Sequence, residues 1–202
     1  MQLILIRHGQ PLVGPDLAGD PPLSPEGQVQ ASITANLLAA EPIDRIVSSG
    51  MIRADATAAP LARALSLPIE PQPLIAETDR LTGRYASLET VRARGRDEWL
   101  RFLTDPLPYF GVDAAAFRAD VLAGFAAILA GGGSTVAVFT HGFPINILLS
   151  HALRIPGEAR FVLGYGSVTR LGARTLKRLT PYSINETAHI AAANVAAARV
   201  PA

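Results

Sequence analysis

The sequence predicts an α/β fold: three α/β/α layers around a mostly parallel central sheet, an active site at the C-terminal strand ends, and a small helical insertion over it. Three observations carry this. Residues 3–9 read LILIRHG and residues 136–142 read VAVFTHG. Each is a short unbroken apolar run, as expected of a strand buried on both faces in a parallel sheet. Each run delivers a histidine and a glycine to its end, so His8 and His141 are predicted at the edge where open α/β sheets bind ligands. A third brief strand, Arg45-Ile46-Val47, is followed by Ser48, Ser49, Gly50 and then Arg53, which places Arg53 in the first turn of the next helix.

The elements follow in order. Residues 10–23 hold four prolines and two glycines and read as a loop next to the first histidine. Ser24-Pro25-Glu26 is a helix start, with Ser as N-cap, Pro at the first helical position and an acid in the first turn. Val29, Ile33, Leu37 and Ala40 mark the expected inner face of that helix. The 44–48 strand follows Pro42. The helix predicted over 51–65 turns Ile52, Ala56, Ala59, Ala62 and Leu65 inward, with Pro60 expected to kink or split it. A short edge strand is predicted near 69–72. Residues 77–112 are the least regular and form the insertion, with helical pieces near 87–94 and 96–104. Asp113 caps a helix with the stripe Phe117, Val121, Phe125 and Ile128, stopped by Gly131-Gly132-Gly133. Strand 135–140 and helix 142–153 come next, with Pro144 tolerated in the first turn. Two strands are predicted at 167–172 and 174–180. One domain is expected over 1–190, followed by an alanine-rich tail at 191–202 that permits a homodimer contact without requiring one.

Composition narrows the function. A chain of 202 residues with 49% hydrophobic and 17% charged residues can support a sizeable core. A net charge of +1 gives no electrostatic case for nucleic acid or an anionic membrane. The absence of cysteine excludes disulfides, thiolate metal sites and a cysteine nucleophile. No apolar stretch reaches the ~18 residues of a membrane span, and no leader is recognisable before the first strand. The expectation is a cytoplasmic protein.

At the predicted strand ends, Arg7, Arg53, His8, His141 and a helix N-terminus near Gly142 converge. Backbone N–H groups at a helix start favour anions, and arginine forks match phosphate or carboxylate oxygens. The residues therefore point to a small anion site, most naturally for a phosphoryl group, with a histidine in reach. Gly9, Gln10 and Gly142 beside the histidines, with Arg84 and Tyr85 from the insertion, complete the expected substrate contacts. Arg80, Arg92, Phe143 and Tyr165 are further candidates for the pocket wall. His151 and His189 read as structural or surface residues. No metal ligands and no cofactor are expected.

These motifs resemble the histidine phosphatase superfamily, also called phosphoglycerate mutase-like. The matching pieces run in order: LILIRHG at 3–9, PLSPEGQVQA at 22–31, SSGMIRADATA at 48–58, Glu77 after a proline-rich strand, FTHG at 139–142, GSVTRL at 166–171, and Asn185 to Ile190. The resemblance implies that His8 is the nucleophile that becomes phosphorylated. It implies that Arg7, Arg53 and His141 bind the phosphoryl oxygens and that Glu77 is the proton donor, with Asp79 and Glu89 as nearby alternatives. It implies metal-independent hydrolysis of a small phosphorylated metabolite.

The chain departs from the family pattern at several places. Gln10-Pro11-Leu12-Val13-Gly14 replaces the usual run after the first histidine, with Gly14 where Asn is expected. Ala56 stands for Gln, Ala86-Ser87 for Glu-Gly, and Phe143 for a small residue. These changes leave the phosphoryl centre intact, alter its surroundings, and favour a phosphatase over a mutase. A protein phosphohistidine phosphatase would be crowded by the 77–112 insertion. A non-catalytic phospho-ligand-binding relative should have lost one of His8, Arg7, Arg53 or His141, and none is lost.

Overall fold

A computed structural model describes residues 1–14, 19–85 and 88–198. Its elements in chain order are β1 (Gln2–Arg7), α1 (Pro25–Leu38), β2 (Arg45–Ser48), α2 (Ile52–Leu65), β3 (Ile69–Pro71), α3 (Asp79–Thr82), α4 (Leu88–Ala93), α5 (Arg96–Thr104), α6 (Pro106–Tyr109), α7 (Ala114–Ala130), β4 (Thr135–Thr140), α8 (Gly142–Leu153), β5 (Val168–Thr175), β6 (Arg178–Glu186) and α9 (Ala188–Ala198). The strands form one sheet in the order β3-β2-β4-β1-β5-β6. Strands β1 to β4 are mutually parallel, and β5 runs antiparallel to β1. Among the described residues no helix is long and apolar enough to cross a membrane.

Strand alternation sorts the core into two layers. Ile4, Ile6, Ile46, Ala137 and Phe139 pack with Leu38 and Leu61 from α1 and α2 on one face. Leu3, Leu5, Val47, Val136 and Val138 pack with Phe125 and Leu148 from α7 and α8 on the other. The expected three-layer α/β/α arrangement is therefore the one observed. Residues of the 77–112 segment join the second layer through Val91, Phe102, Leu107 and Val112.

Local signals placed most elements. Ser24 accepts from the Gly27 N–H, and Asp113 accepts from the Ala115 and Ala116 N–H groups, so both expected N-caps form. The Phe117–Val121–Phe125–Ile128 stripe is buried, and β3 is a sheet edge.

Both helical faces next to the site differ from expectation. In α1 the buried residues include Gln30, Ala31, Thr34, Ala35 and Leu38, while Val29 and Leu37 are exposed. The reason is that Gln30 accepts from the Gln10 N–H and Thr34 donates to the Gly166 carbonyl, and these tasks turn polar residues inward. In α2 the buried residues are Arg53, Ala54, Thr57, Ala58 and Leu61, and Ile52 is exposed. Facing Arg53 into the site rotates the helix by about one residue, roughly 100°. Pro60 does not split α2. It lies on the half-exposed side, where solvent can reach the carbonyl that lost its partner.

The last hairpin also differs. Strand β5 runs through Gly172 to Thr175, and β6 extends to Glu186. Gly172 lies inside β5, where a Cβ would sit 2.3 Å from the Tyr182 hydroxyl. It marks a close side-chain approach within a strand. After the hairpin, α9 packs against α1 with Ile190 buried.

Candidate active site

The parallel register explains why two distant histidines meet. Arg7 pairs with Thr140 at the ends of β1 and β4, so the next residues, His8 and His141, stand side by side. Their ring centroids are 5.0 Å apart. Ser48 pairs with Phe139 at the end of β2, which brings Ser49 and then Arg53 to the same edge. The chain leaving β3 turns through Pro73–Ile75 and delivers Glu77 beside the start of α8.

Gly9 is required by close backbone packing. A Cβ on it would lie 2.5 Å from the Gly27 carbonyl oxygen, and one on Gly27 would lie 2.0 Å from the Gln10 carbonyl oxygen. The start of α1 is thus pressed directly against the turn after His8. The Gly9 N–H donates to Thr57 and the Gln10 N–H to Gln30. These two residues, expected to touch substrate, have their N–H groups engaged by α1 and α2.

His8 is buried, and its Nδ1 lies 2.7 Å from the Gly9 carbonyl oxygen. A carbonyl only accepts, so Nδ1 carries the proton and Nε2 keeps its lone pair. Arg53 Nε donates to that Nε2 at 3.3 Å. Burial, followed by the charges of Arg53 and Arg7, holds the imidazole well below the usual histidine range. His8 is therefore neutral at pH 7, the state a nucleophile needs.

Arg53 has no solvent exposure. Its NH1 and NH2 donate to Asp20 and Asp79 at 2.9 Å each, and Asp20 also accepts from the Ile52 N–H. Two carboxylates thus fix the fork and leave Nε on His8. Asp20 belongs to the loop after β1, and sequence reading did not single it out; an acid in a Pro/Gly-rich loop carries no local signal. Arg7 lies with its guanidinium carbon 4.1 Å from the Tyr165 ring centroid and donates to the Leu163 carbonyl.

Glu77 is half-buried and accepts from the Thr78 N–H and from the Phe143 N–H, both at 3.1 Å. Burial, then the neighbouring Asp79, pushes its carboxyl up to about 7, although the two N–H groups and Arg53 oppose this. A carboxyl with that value gives and takes a proton near neutral pH. Asp79 is bound to Arg53 instead. The Glu89 side chain lies outside the described part of the structure.

His141 is fully buried and also held neutral, by burial first and then by Arg53. Its Nε2 is 2.8 Å from Ser49 Oγ, which itself accepts from the Met51 N–H. With the hydroxyl proton donated to Nε2, the imidazole N–H sits on Nδ1. Nδ1 has no hydrogen-bond partner among the described residues. Sequence reading passed over Ser49 because its partner lies 92 residues away.

One cavity of about 100 Å³ is lined at one end by Arg7, His8, Arg53, Glu77 and Asp79, while His141, Gly9, Gln10 and Tyr165 are not among its lining residues. Gly142, Phe143, Arg84 and Tyr85 line it too, while Arg80 and Arg92 are exposed and do not. Tyr85 reaches the Tyr165 hydroxyl at 3.5 Å and lies under the Arg53 guanidinium. His151 bonds the Leu176 carbonyl and His189 the Gly166 carbonyl, in keeping with structural roles. Asn185 accepts from the Gly164 N–H and so anchors the loop that carries Tyr165.

Comparison with known proteins identifies the family of the chain. A family model described as histidine phosphatase superfamily (branch 1) matches residues 3–179. The Bifunctional protein Rv2228c of Mycobacterium tuberculosis (strain ATCC 25618 / H37Rv) is 35% identical over 162 residues, covering 75% of this chain and 44% of that protein. The chain thus spans less than half the length of that curated relative. Among solved structures, mycobacterial glucosyl-3-phosphoglycerate phosphatase Rv2419c complexed with VO3 is similar with TM-score 0.71 and 25% identity, over 91% of this chain and 98% of that one. Phosphoserine phosphatase from Entamoeba histolytica in complex with 3-phosphoglyceric acid gives 0.71 at 24%, over 94% and 98%. Phosphoglycerate mutase from Bacillus anthracis gives 0.72 at 19%, over 94% and 95%. The last two are likenesses of fold.

Proposed function

The chain belongs to the histidine phosphatase superfamily, and we propose that within it the protein is a metal-independent phosphatase that hydrolyses a small phosphate monoester through a phosphohistidine at His8. The observation that carries this reading is the pairing of opposite proton states in one cavity. His8 presents a neutral Nε2, fixed by the Gly9 carbonyl and Arg53, and Glu77 is a carboxyl able to hold a proton near pH 7.

The steps follow from these states. The His8 Nε2 lone pair attacks phosphorus and the ester P–O bond breaks. Glu77 gives its proton to the leaving alkoxide. The Glu77 carboxylate then takes a proton from water, whose oxygen attacks phosphorus. The N–P bond breaks and its electron pair returns to Nε2, which releases inorganic phosphate. Arg7, Arg53 and the His141 N–H stabilise the charge spread over the equatorial oxygens. The two arginines supply the positive charge that a metal supplies elsewhere, and the neutral His141 adds only a donor.

The test is hydrolysis of p-nitrophenyl phosphate with excess EDTA, wild type beside His8→Ala. The reading expects turnover that survives chelation, disappears in the variant, and passes through an acid-labile phosphoenzyme. Activity retained by His8→Ala removes His8 as the nucleophile. Activity lost to EDTA and restored by a divalent cation removes metal independence.

A further inference from the structure

Beyond the phosphoryl end, the cavity changes character. Its far wall is made of Trp99, Phe102 and Leu103 from α5, Phe110 after α6, Phe143 at the start of α8, and Val162. The aromatic groups form a connected series. Trp99 stacks on Phe102 at 5.4 Å, Phe102 meets Phe110 at 5.8 Å, and Phe110 meets Phe143 edge-on at 6.1 Å. These separations are ordinary for aromatic pairs. Phe143 joins the two ends of the cavity, because its backbone N–H holds Glu77 while its ring closes the series.

Apart from Arg84, the polar side chain on this wall is the Asn146 amide, and it is already committed. Asn146 lines the cavity, yet its amide donates to the Gly142 and Phe161 carbonyls and its oxygen accepts from the Phe161 N–H. A hydroxyl-rich or amino-bearing alcohol would exchange water for a surface with few free donors and acceptors, which costs binding energy. An apolar group would instead cover Leu103 and Val162, which are 49% and 77% exposed. The volume is compatible with this. A single buried water needs roughly 10–15 Å³, so about 100 Å³ accommodates a phosphoryl group with several carbon atoms attached.

We propose that the alcohol half of the substrate is apolar, an aromatic or aliphatic group seated on the Trp99–Phe102–Phe110–Phe143 wall, so that the protein selects hydrophobic phosphate monoesters over sugar or amino-acid phosphates. The proposal rests on the phosphatase reading of the same cavity. Arg84 is the one charged residue on the cavity wall outside the phosphoryl end among the described residues, and it defines the competing substrate class, an alcohol bearing a second anion.

Binding can be separated from turnover, since Trp99 is the sole tryptophan and reports from the wall itself. Wild-type protein is titrated with n-alkylphosphonates from methyl to hexyl, read by Trp99 fluorescence, with 3-phosphonopropionate as the acidic comparison. Each methylene buried on an apolar wall should tighten binding about fourfold, with a progressive change in emission. Leu103→Asn, at a half-exposed position, should flatten that dependence. Equal affinity along the alkyl series overturns the proposal while leaving the phosphatase reading in place. Tighter binding of 3-phosphonopropionate than of propylphosphonate, lost in Arg84→Ala, overturns it in favour of an acidic substrate. Failure to bind methylphosphonate or any other member overturns both readings. Hydrolysis of p-nitrophenyl phosphate, measured separately, shows whether the chemistry survives on its own.

Discussion

The two ends of the cavity are built by opposite rules. At the phosphoryl end every side chain is fixed by a polar partner: His8 by Gly9, Arg53 by Asp20 and Asp79, Glu77 by two backbone N–H groups, His141 by Ser49. His8 and His141 stand at the ends of β1 and β4, Arg53 stands on α2, and Glu77 stands on the short segment between β3 and α3. At the apolar end the wall comes chiefly from short helices and loops, held by ring contacts without directional bonds. Chemistry needs atoms held to a fraction of an ångström, which strand register and hydrogen bonds provide. Recognition of an apolar group needs area, which loosely specified side chains supply and which can change while the chemistry stays the same.

Several substitutions break or sharpen this contrast. His8→Ala carries the largest expected effect, a loss of about 10⁴-fold or more in kcat for every ester regardless of its alcohol, measured by steady-state hydrolysis. Arg53→Met comes next. It should cost about 10²–10³ in kcat by removing one stabilising donor. It should also destabilise the fold by about 3–5 kcal/mol, because Asp79 is left buried without its partner; urea denaturation reads that second effect. A loss of activity with unchanged stability would mean that the clamp is not structural.

Glu77→Gln should divide substrates by leaving group. Alkyl phosphates should slow by about 10²–10⁴-fold, and p-nitrophenyl phosphate far less, since its phenolate needs little protonation. The pH profile carries the sign. Glu77 is raised to about 7 and must be protonated to donate, so alkyl ester turnover should fall as pH rises above about 7. His8 is held well below its usual value, so the acidic limb lies below the ordinary histidine range. The alkaline limb should vanish in Glu77→Gln, and its persistence would assign it to another group. Ser49→Ala is the mildest change. Losing one hydrogen bond worth about 1 kcal/mol should lower kcat about fivefold. It should also alter the imidazole nitrogen shifts of His141, a readout that a merely structural serine would not move.

The difference in legibility follows the same divide. His8 and His141 were readable because an apolar run ending in His-Gly is a local signal, and Arg53 because a short strand precedes it. Glu77 was reached only through the family resemblance, because a lone acid in a loop carries no local signal, and burial beside the start of α8 set its proton affinity. Asp20 and Ser49 were invisible, since each acts on a partner brought close only by the sheet. The faces of α1 and α2 misled periodicity for a related reason. Gln30, Thr34 and Arg53 are polar residues turned inward by hydrogen bonds to other segments, and a count of apolar residues cannot register them.

What the sequence determined by itself is the main strands and long helices of the layered core and the histidines and arginine waiting at their ends; the short helices α3 and α6 and the course of α9 were not predicted. Buried strands, caps and turns act within a few residues, so their causes are local. The tertiary structure alone decided which tautomer His8 holds, which carboxylates clamp Arg53, why Glu77 keeps a proton near neutral pH, and that an aromatic wall adjoins the phosphoryl site. Each of these depends on burial and on distances between residues far apart in the chain, and both are fixed only when the parallel register of β1 and β4 closes the sheet.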